Sequence, residues 1–394
     1  MQKEMKPLQR YKILDLTQRL PGPLCTMILS DMGMDVIKIE EPVKGDFCRS
    51  MPPFYNGQGA LFIFLNRNKK SFTLDLKSPE GREIFLTMAS MADAVLEGSR
   101  PGFMDSLKLG YEDVKKVNPA IVYCSLSGYG QDGPYRDRAG HDLNYNALAG
   151  ILAMTGNEDG PALPGMLLAD VAGGLGAVIA ILMGLLHRGE TGLGQYIDVS
   201  MFDLLFSWFG LTNVAESVGL GRSLKRGETT FTGKLACYHV YKTRDGEHVS
   251  LGALEPKFWA QFCEAIDRQD LKADYLKDER QAYLKEELRK LFLLKDKDEW
   301  VSRFAGKDFC FEPVKTAKES LSDIHVLARK LIFEADGHTG EPIKQLNMPL
   351  RSSALENPTY YAHPPSLGEH TEDILLQLGF NANEIENLRQ KGII

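Results

Sequence analysis

Three residues in this 394-residue chain have the type and setting for proton chemistry: His141, Asp170 and Glu255. His141 opens the stretch "GHDLNY" and follows a glycine-rich loop, "SGYGQDGPYRDRAG". Histidine titrates near neutral pH and can take or give a proton. A helix N-terminus favours its neutral, proton-accepting form. The same position also suits a histidine that merely packs at a helix start. Asp170 lies in "MLLADVAGGLGAV", with apolar residues on both sides. Buried carboxylates are rare unless paired or functional. Aspartate is also a good N-cap and a helical run follows, so one residue can serve both ends. Burial raises a carboxyl pKa and cap hydrogen bonds lower it, which leaves its charge state open. Gly173, Gly174 and Gly176 then sit inside the helical run. Each costs about 1 kcal/mol against alanine, which implies that a backbone or a ligand packs closely there. Glu255, in "SLGALEPKF", stands between an expected strand and Pro256. It reads equally as a third chemical group or as an exposed residue leading into a helix.

The elements that must position these residues alternate between strand and helix. Strands are expected at Tyr11–Thr17, Asp35–Glu40, Ser71–Lys77, Asp93–Gly98, Ala120–Gly128 and Gly194–Ser200. Pro21 and Pro23 open a helix that runs to about Met32, and Ser78-Pro79 is a cap followed by a proline at the first helical position. This alternation predicts a parallel sheet in an α/β layer, with ligands at the carboxyl ends of its strands. Gly128, Gly130 and Gly133 mimic a dinucleotide fingerprint. That reading fails, because the motif follows a late strand and Pro134 breaks the helix that should come next. Beyond about residue 220 the pattern changes. A polar, glycine-rich linker leads to a hairpin about Asp245-Gly246, then to charged helical segments at Pro256–Ile266 and Lys272–Ala305. The expected division is a large α/β domain over 1–220, a smaller α+β domain inserted over 225–330, and a return to the large domain over 331–394. The return carries helices at Glu369–Leu378 and from Asn383.

Composition narrows the partners. Hydrophobic residues make up 43% of the chain and charged residues 25%, as in ordinary globular proteins. The net charge is −7 with no basic stripe, which argues against nucleic acid. The six cysteines are scattered with no CxxC pair, so no metal site is expected and most should be small buried residues. "MQKEMKPLQRYK" lacks a signal-peptide core, and the apolar run Val171–Leu186 is short for a bilayer and better suits a buried helix. A cytoplasmic location without membrane association is the expectation.

Several stretches together carry a resemblance: "ILDLTQRLPGPLCTMILSDMGMDVIKIEEP", "LNRNKKSFTLDLKSPEGR", "DAVLEGSRPG", "GYGQDGPYRDRAGHD", "LLADVAGG", "TGLGQYIDVSMFD", "LGALEPKFW" and "SLGEHTEDIL". The chain resembles, over nearly its whole length, the family of class III CoA-transferases and α-methylacyl-CoA racemases. The resemblance implies a Rossmann-like large domain with a smaller inserted domain, and two chains interlocked as a homodimer. It implies an acyl-CoA ligand and no cofactor beyond the coenzyme A moiety. Arg67, Lys69, Lys70 and Arg100 would suit the nucleotide diphosphate. Contacts to coenzyme A are implied for Leu74, Asp75, Leu76 and Lys77, for Gly98, Ser99 and Arg100, and for Gly140, Asp142 and Tyr145. Some relatives carry an arginine just before the proline of "KIEEP"; here it is Glu41, and Arg49 or Arg19 would take its place.

The family implies two chemistries for Asp170. In the transferases the matching aspartate is a nucleophile that attacks the thioester and forms a mixed anhydride. In the racemases it is one of two bases, His141 matches the other, and Glu255 matches a supporting carboxylate. Inverting carbon 2 of a 2-methylacyl-CoA needs a proton removed on one face and returned on the other, hence two groups. The three residues together favour the racemase, with CoA transfer as the alternative. The stretch Leu152–Leu168 reads as core and loop rather than as an apolar surface for the acyl chain.

Overall fold

The computed structural model describes residues 6–157, 159–335, 342–352 and 361–394. The chain divides into two compact units. The first holds the chain up to Ala149, Met166–Phe209 and the chain from His325; the second holds Gly150–Gly165 and Gly210–Ile324. The observed boundaries differ from the expected ones: Gly150–Gly165 and Gly210–Leu220 belong with the second unit, and the return to the first begins at His325.

The first unit is built on a six-stranded parallel sheet. Its strands are β1 (Lys12–Asp15), β2 (Asp35–Glu40), β3 (Lys70–Thr73), β4 (Ala94–Glu97), β5 (Val122–Ser127) and β6 (Gln195–Ser200). Their spatial order is β6-β5-β4-β1-β2-β3, all parallel. This is the doubly wound arrangement, in which the order reverses between β1 and β4. Strand periodicity sends alternate residues to opposite faces. Ile13, Ala94, Leu96, Val122 and Cys124 pack on one side with α1 (Pro21–Asp31) and the long helix α5 (Leu168–Thr191). Leu14, Val95 and Tyr123 pack on the other side with α2 (Pro79–Ser90), α3 (Tyr111–Val117) and the helices Thr371–Gln377 and Ala382–Gln390. Burial on both faces explains the near-continuous apolar strands.

Local signals account for several helix starts. Ser78 accepts the Gly81 N–H at 2.9 Å, and Pro79 follows at the first helical position. Asn381 accepts the N–H groups of Asn383 and Glu384, so the last helix starts one residue earlier than expected. The glycines of α5 answer to close packing, as their cost implied. A Cβ at Gly174 would lie 2.7 Å from the Pro21 carbonyl oxygen of α1, and one at Gly176 would lie 2.2 Å from Leu204. Neighbouring protein rather than a ligand fills that space. The most apolar window of α5 is 61% buried.

The second unit has the expected hairpin, Tyr238–Lys242 against His248–Gly252, with Phe311–Pro313 as a third antiparallel strand. Gly246 takes φ +86° at the turn. The helical stretch expected over Lys272–Ala305 is broken into two short turns and the helices Gln281–Phe292 and Lys297–Phe304. Their apolar faces join Trp259 and Phe262 of Pro256–Ala265 in a core rich in aromatic rings. The core reading of Leu152–Leu168 does not hold at its end: Leu163 is 70% and Met166 58% exposed. Five of the six cysteines are buried and Cys310 is exposed.

Candidate active site

A cavity of about 640 Å³ opens at the carboxyl ends of β1, β4 and β5, where the strand order reverses. Three loops and four helix starts line it, all within the first unit.

The loop after β1 carries Arg19, whose backbone takes φ +71°. Buried charges beneath fix this loop. The Asp15 carboxylate accepts the Thr17 N–H at 2.9 Å, and Lys38 Nζ donates to the Thr17 carbonyl at 2.7 Å. Lys38 pairs with Asp46 at 2.8 Å, and Asp46 also accepts the Arg19 N–H at 3.3 Å. Lys69 completes the cluster, bonded to Asn66, the Pro23 carbonyl and Asp15. Burial pushes the Lys69 ammonium down to about 8, against the pull of Asp15. The loop after β4, Gly98–Pro101, is pinned by Glu97, which accepts the Ser99 N–H at 2.7 Å. Burial raises the carboxyl of Glu97.

After β5, Gly128 and Gly140 box in one aromatic ring. A Cβ on Gly128 would lie 2.3 Å from the Tyr145 hydroxyl, and one on Gly140 2.7 Å from the ring edge. Tyr145 donates to the Gly140 carbonyl at 2.9 Å and meets the Tyr129 ring edge-on, with centroids 5.0 Å apart. Here the loop glycines admit a tyrosine of the protein, while their backbone still faces the cavity.

His141 is the residue before helix α4 (Asp142–Leu148). Asn144 accepts its backbone N–H at 3.0 Å, and the residue is exposed on the cavity wall. Asp170 lies in the first turn of α5 and lines the same cavity. Its carboxyl is raised to about 6, first by burial, then by the charge of Asp142, with Arg19 pulling the other way. Asp170 is not the cap of its helix. Leu167 holds the N-cap position, and the cap is supplied by Asp142, which accepts the Ala169 N–H at 2.6 Å and the Asp170 N–H at 3.2 Å.

The residues expected from sequence fall into two groups. Gly98, Ser99, Arg100, Gly140, His141, Tyr145 and Asp170 line the cavity together, as does Arg19. Arg67, Leu74, Asp75, Leu76, Lys77 and Asp142 do not. Arg67 is 2% exposed and holds Asp31 by two hydrogen bonds, at 3.0 and 2.6 Å. A diphosphate role for it is overturned, because its charge is already spent inside the fold. Lys69 is equally buried, Lys70 pairs with Asp35, and Arg49 is taken by Glu40. Leu74 is core, and Asp75 accepts the Lys77 N–H at 3.0 Å in the turn before α2. Glu255 is an exposed residue of the second unit, just before Pro256–Ala265.

Sequence reading missed Arg136 and Arg138 as lining residues. The signal for the arginines is the charged run "YRDR" that follows the glycine-rich loop. With them, Arg19, Arg100, Arg136 and Arg138 face the cavity against Asp137 and Asp170, a surplus of two positive charges. In a chain of net charge −7 that surplus is local, and it suits an anionic ligand. The arrangement thus pairs an anion-binding wall with a histidine and a carboxyl that titrates near neutrality.

The chain compares closely with known proteins. A succinyl-CoA:glutarate CoA-transferase from Mus musculus is 36% identical over 99% of this chain and 91% of its own length. A human α-methylacyl-CoA racemase is 33% identical over 98% of this chain and 97% of its own. The crystal structure of a CAIB/BAIF family protein from Brucella suis superposes with a TM-score of 0.82 at 30% identity, covering 95% of this chain and 99% of that one. The sequence model of CoA-transferase family III matches residues 8–371, and the chain belongs to that family.

Proposed function

We propose that the protein inverts carbon 2 of a 2-methyl-branched acyl-CoA by proton transfer between His141 and Asp170. The observation that carries this reading is that both side chains open onto one cavity in the same unit. A thioester acidifies its α-proton only weakly, so the base must be close and the enolate must be stabilised. For one hand of substrate, neutral His141 removes the proton while protonated Asp170 returns one to the opposite face. For the other hand, the roles swap. A racemisation has an equilibrium constant near one, so the two charge arrangements must be close in energy. A carboxyl raised to about 6 can hold or give up its proton near neutral pH, as that exchange of roles requires. Backbone N–H groups of the glycine loop and of the helix starts on the cavity wall would suit the enolate oxygen. Arg19, Arg100, Arg136 and Arg138 would hold the phosphates of the coenzyme A portion.

A second reading is CoA transfer between carboxylic acids, with Asp170 as nucleophile. The 36% identity to a succinyl-CoA:glutarate CoA-transferase supports it. The two separate in one experiment: a single hand of 2-methylacyl-CoA in D2O, followed by mass spectrometry, with wild type and His141→Ala. One deuterium at carbon 2 with loss of optical purity, abolished in His141→Ala, supports the racemase. Transfer of CoA to an added dicarboxylic acid, with an adduct on Asp170 that hydroxylamine traps and no need for His141, supports the transferase. A homodimer is part of the same proposal. Leu175, Ile179, Met183 and Leu186 form an exposed apolar stripe on α5, spaced to share one helix face.

A further inference from the structure

The N-terminus of α5 is capped by a residue from another helix, and that residue lies directly behind the carboxylate that reacts. Leu167 stands at the N-cap position and has no side-chain acceptor. Oδ1 of Asp142 bonds the N–H groups of Ala169 and Asp170 in its place. Asp142 is itself held from below. Asn146, one turn along α4, donates to Asp142 Oδ2 at 2.7 Å and to the Asp142 carbonyl at 2.8 Å. Asp142 is 8% exposed and Asn146 fully buried, so neither presents its side chain to a ligand. The coenzyme A contact implied for the Asp142 side chain is replaced by this structural one.

We propose that Asp142 is a positioning residue for proton transfer: it fixes the backbone of Asp170 and sets a constant negative charge behind that carboxylate. The inference rests on Asp170 being a base. The free N–H groups of a helix start carry partial positive charge and would make a first-turn carboxylate a weak base. A second carboxylate bonded to those same groups cancels that charge and adds its own. The other charged or titratable groups near Asp170 are His141 and Tyr145 beside α4 and Arg19 from the loop after β1. Arg19 opposes Asp142, so the balance between these two fixed charges tunes the base. Placing His141 and Asp142 next to each other in sequence also couples the two bases: α4 carries one and anchors the other.

The test is Asp142→Asn. Asparagine keeps the shape and the cap acceptor but loses the charge. Its new amide faces the Asn146 amide; if that amide turns over, Asn146 Oδ1 can accept from it, at the loss of the Asn146 bond to the carbonyl of residue 142. Two readouts are needed. In the D2O exchange assay, the acidic limb of the rate–pH profile should move down by about one pH unit, with about a tenfold lower plateau. In 13C NMR of aspartate-labelled protein, with Asp170→Asn to assign the signal, the Asp170 titration should shift down by the same amount. Asp142→Ser, smaller but also a capping residue, should shift both in the same direction and guards against misfolding of the first variant. An Asp170 titration that stays put in both variants overturns the inference. If the wild type exchanges no deuterium, the racemase reading fails, while the NMR titration still decides the role of Asp142.

Discussion

Asp170→Asn should abolish activity and make the protein more stable, by an amount that grows from about pH 4 and is complete above about pH 6. The carboxyl of Asp170 sits near 6 in the folded chain and near 3.9 in an unfolded one. Its folded pKa is raised, so folding favours the protonated form. The stability this group contributes is fully present below about pH 4 and is lost as the pH rises through about 6. At pH 8 the native protein therefore holds a carboxylate that it would rather protonate. Two pKa units correspond to about 3 kcal/mol. Solvent screening at this partly exposed position lowers that to about 1–2 kcal/mol. Asparagine removes the charge at nearly constant volume, and among the described residues the carboxylate makes no hydrogen bond that would be lost. For a chain of 394 residues, about 1 kcal/mol corresponds to about 1 °C in Tm. Melting in parallel at pH 8 and pH 4 should show Asp170→Asn about 1–2 °C above wild type at pH 8 and level with it at pH 4. A variant that melts at or below wild type at pH 8, or that gains equally at both, refutes the reasoning. Such a result would mean that the site stores no electrostatic strain.

Two arginines that look alike in sequence should behave oppositely. Arg67→Met strands Asp31, whose side chain is 0% exposed, and should cost about 3–5 kcal/mol, read as a lower Tm with little change in KM. Arg100→Met should leave Tm within a degree of wild type and raise the KM for an acyl-CoA about tenfold or more, from the loss of a charge-assisted bond to phosphate. Gly128→Ala puts a Cβ 2.3 Å from the Tyr145 hydroxyl, and Gly140 and Tyr129 already press on two other sides of the ring. Overpacking of this kind costs about 1–3 kcal/mol. It should also lower kcat, since Tyr145 and His141 ride on the same helix start. A Gly128→Ala enzyme with unchanged kcat and Tm would mean that α4 tolerates movement there.

Much of this molecule is legible locally, and the errors have one cause. The six strands are short apolar runs between turn residues, and nothing distant is needed to see them. His141 and Asp170 stand out by local contrast: a histidine after a glycine loop, a carboxylate in an apolar run. Local contrast fails when the deciding group lies elsewhere in the chain. Arg67 reads as a loop cation free for phosphate, yet Asp31 at the end of α1, 36 positions earlier, has already taken its charge. Asp170 reads as a helix cap because it precedes an apolar helical run. The helix starts three residues sooner, at Leu168, since a carboxylate 28 positions upstream caps it from α4. That distant cap is also what makes the chemistry available. An aspartate that capped its own helix would have its lone pairs tied to backbone N–H groups and its basicity lowered. With Asp142 in that place, Asp170 is left facing the cavity with a raised carboxyl. The misread cap and the raised carboxyl are therefore two consequences of one long-range contact, and no local pattern around Asp170 encodes it.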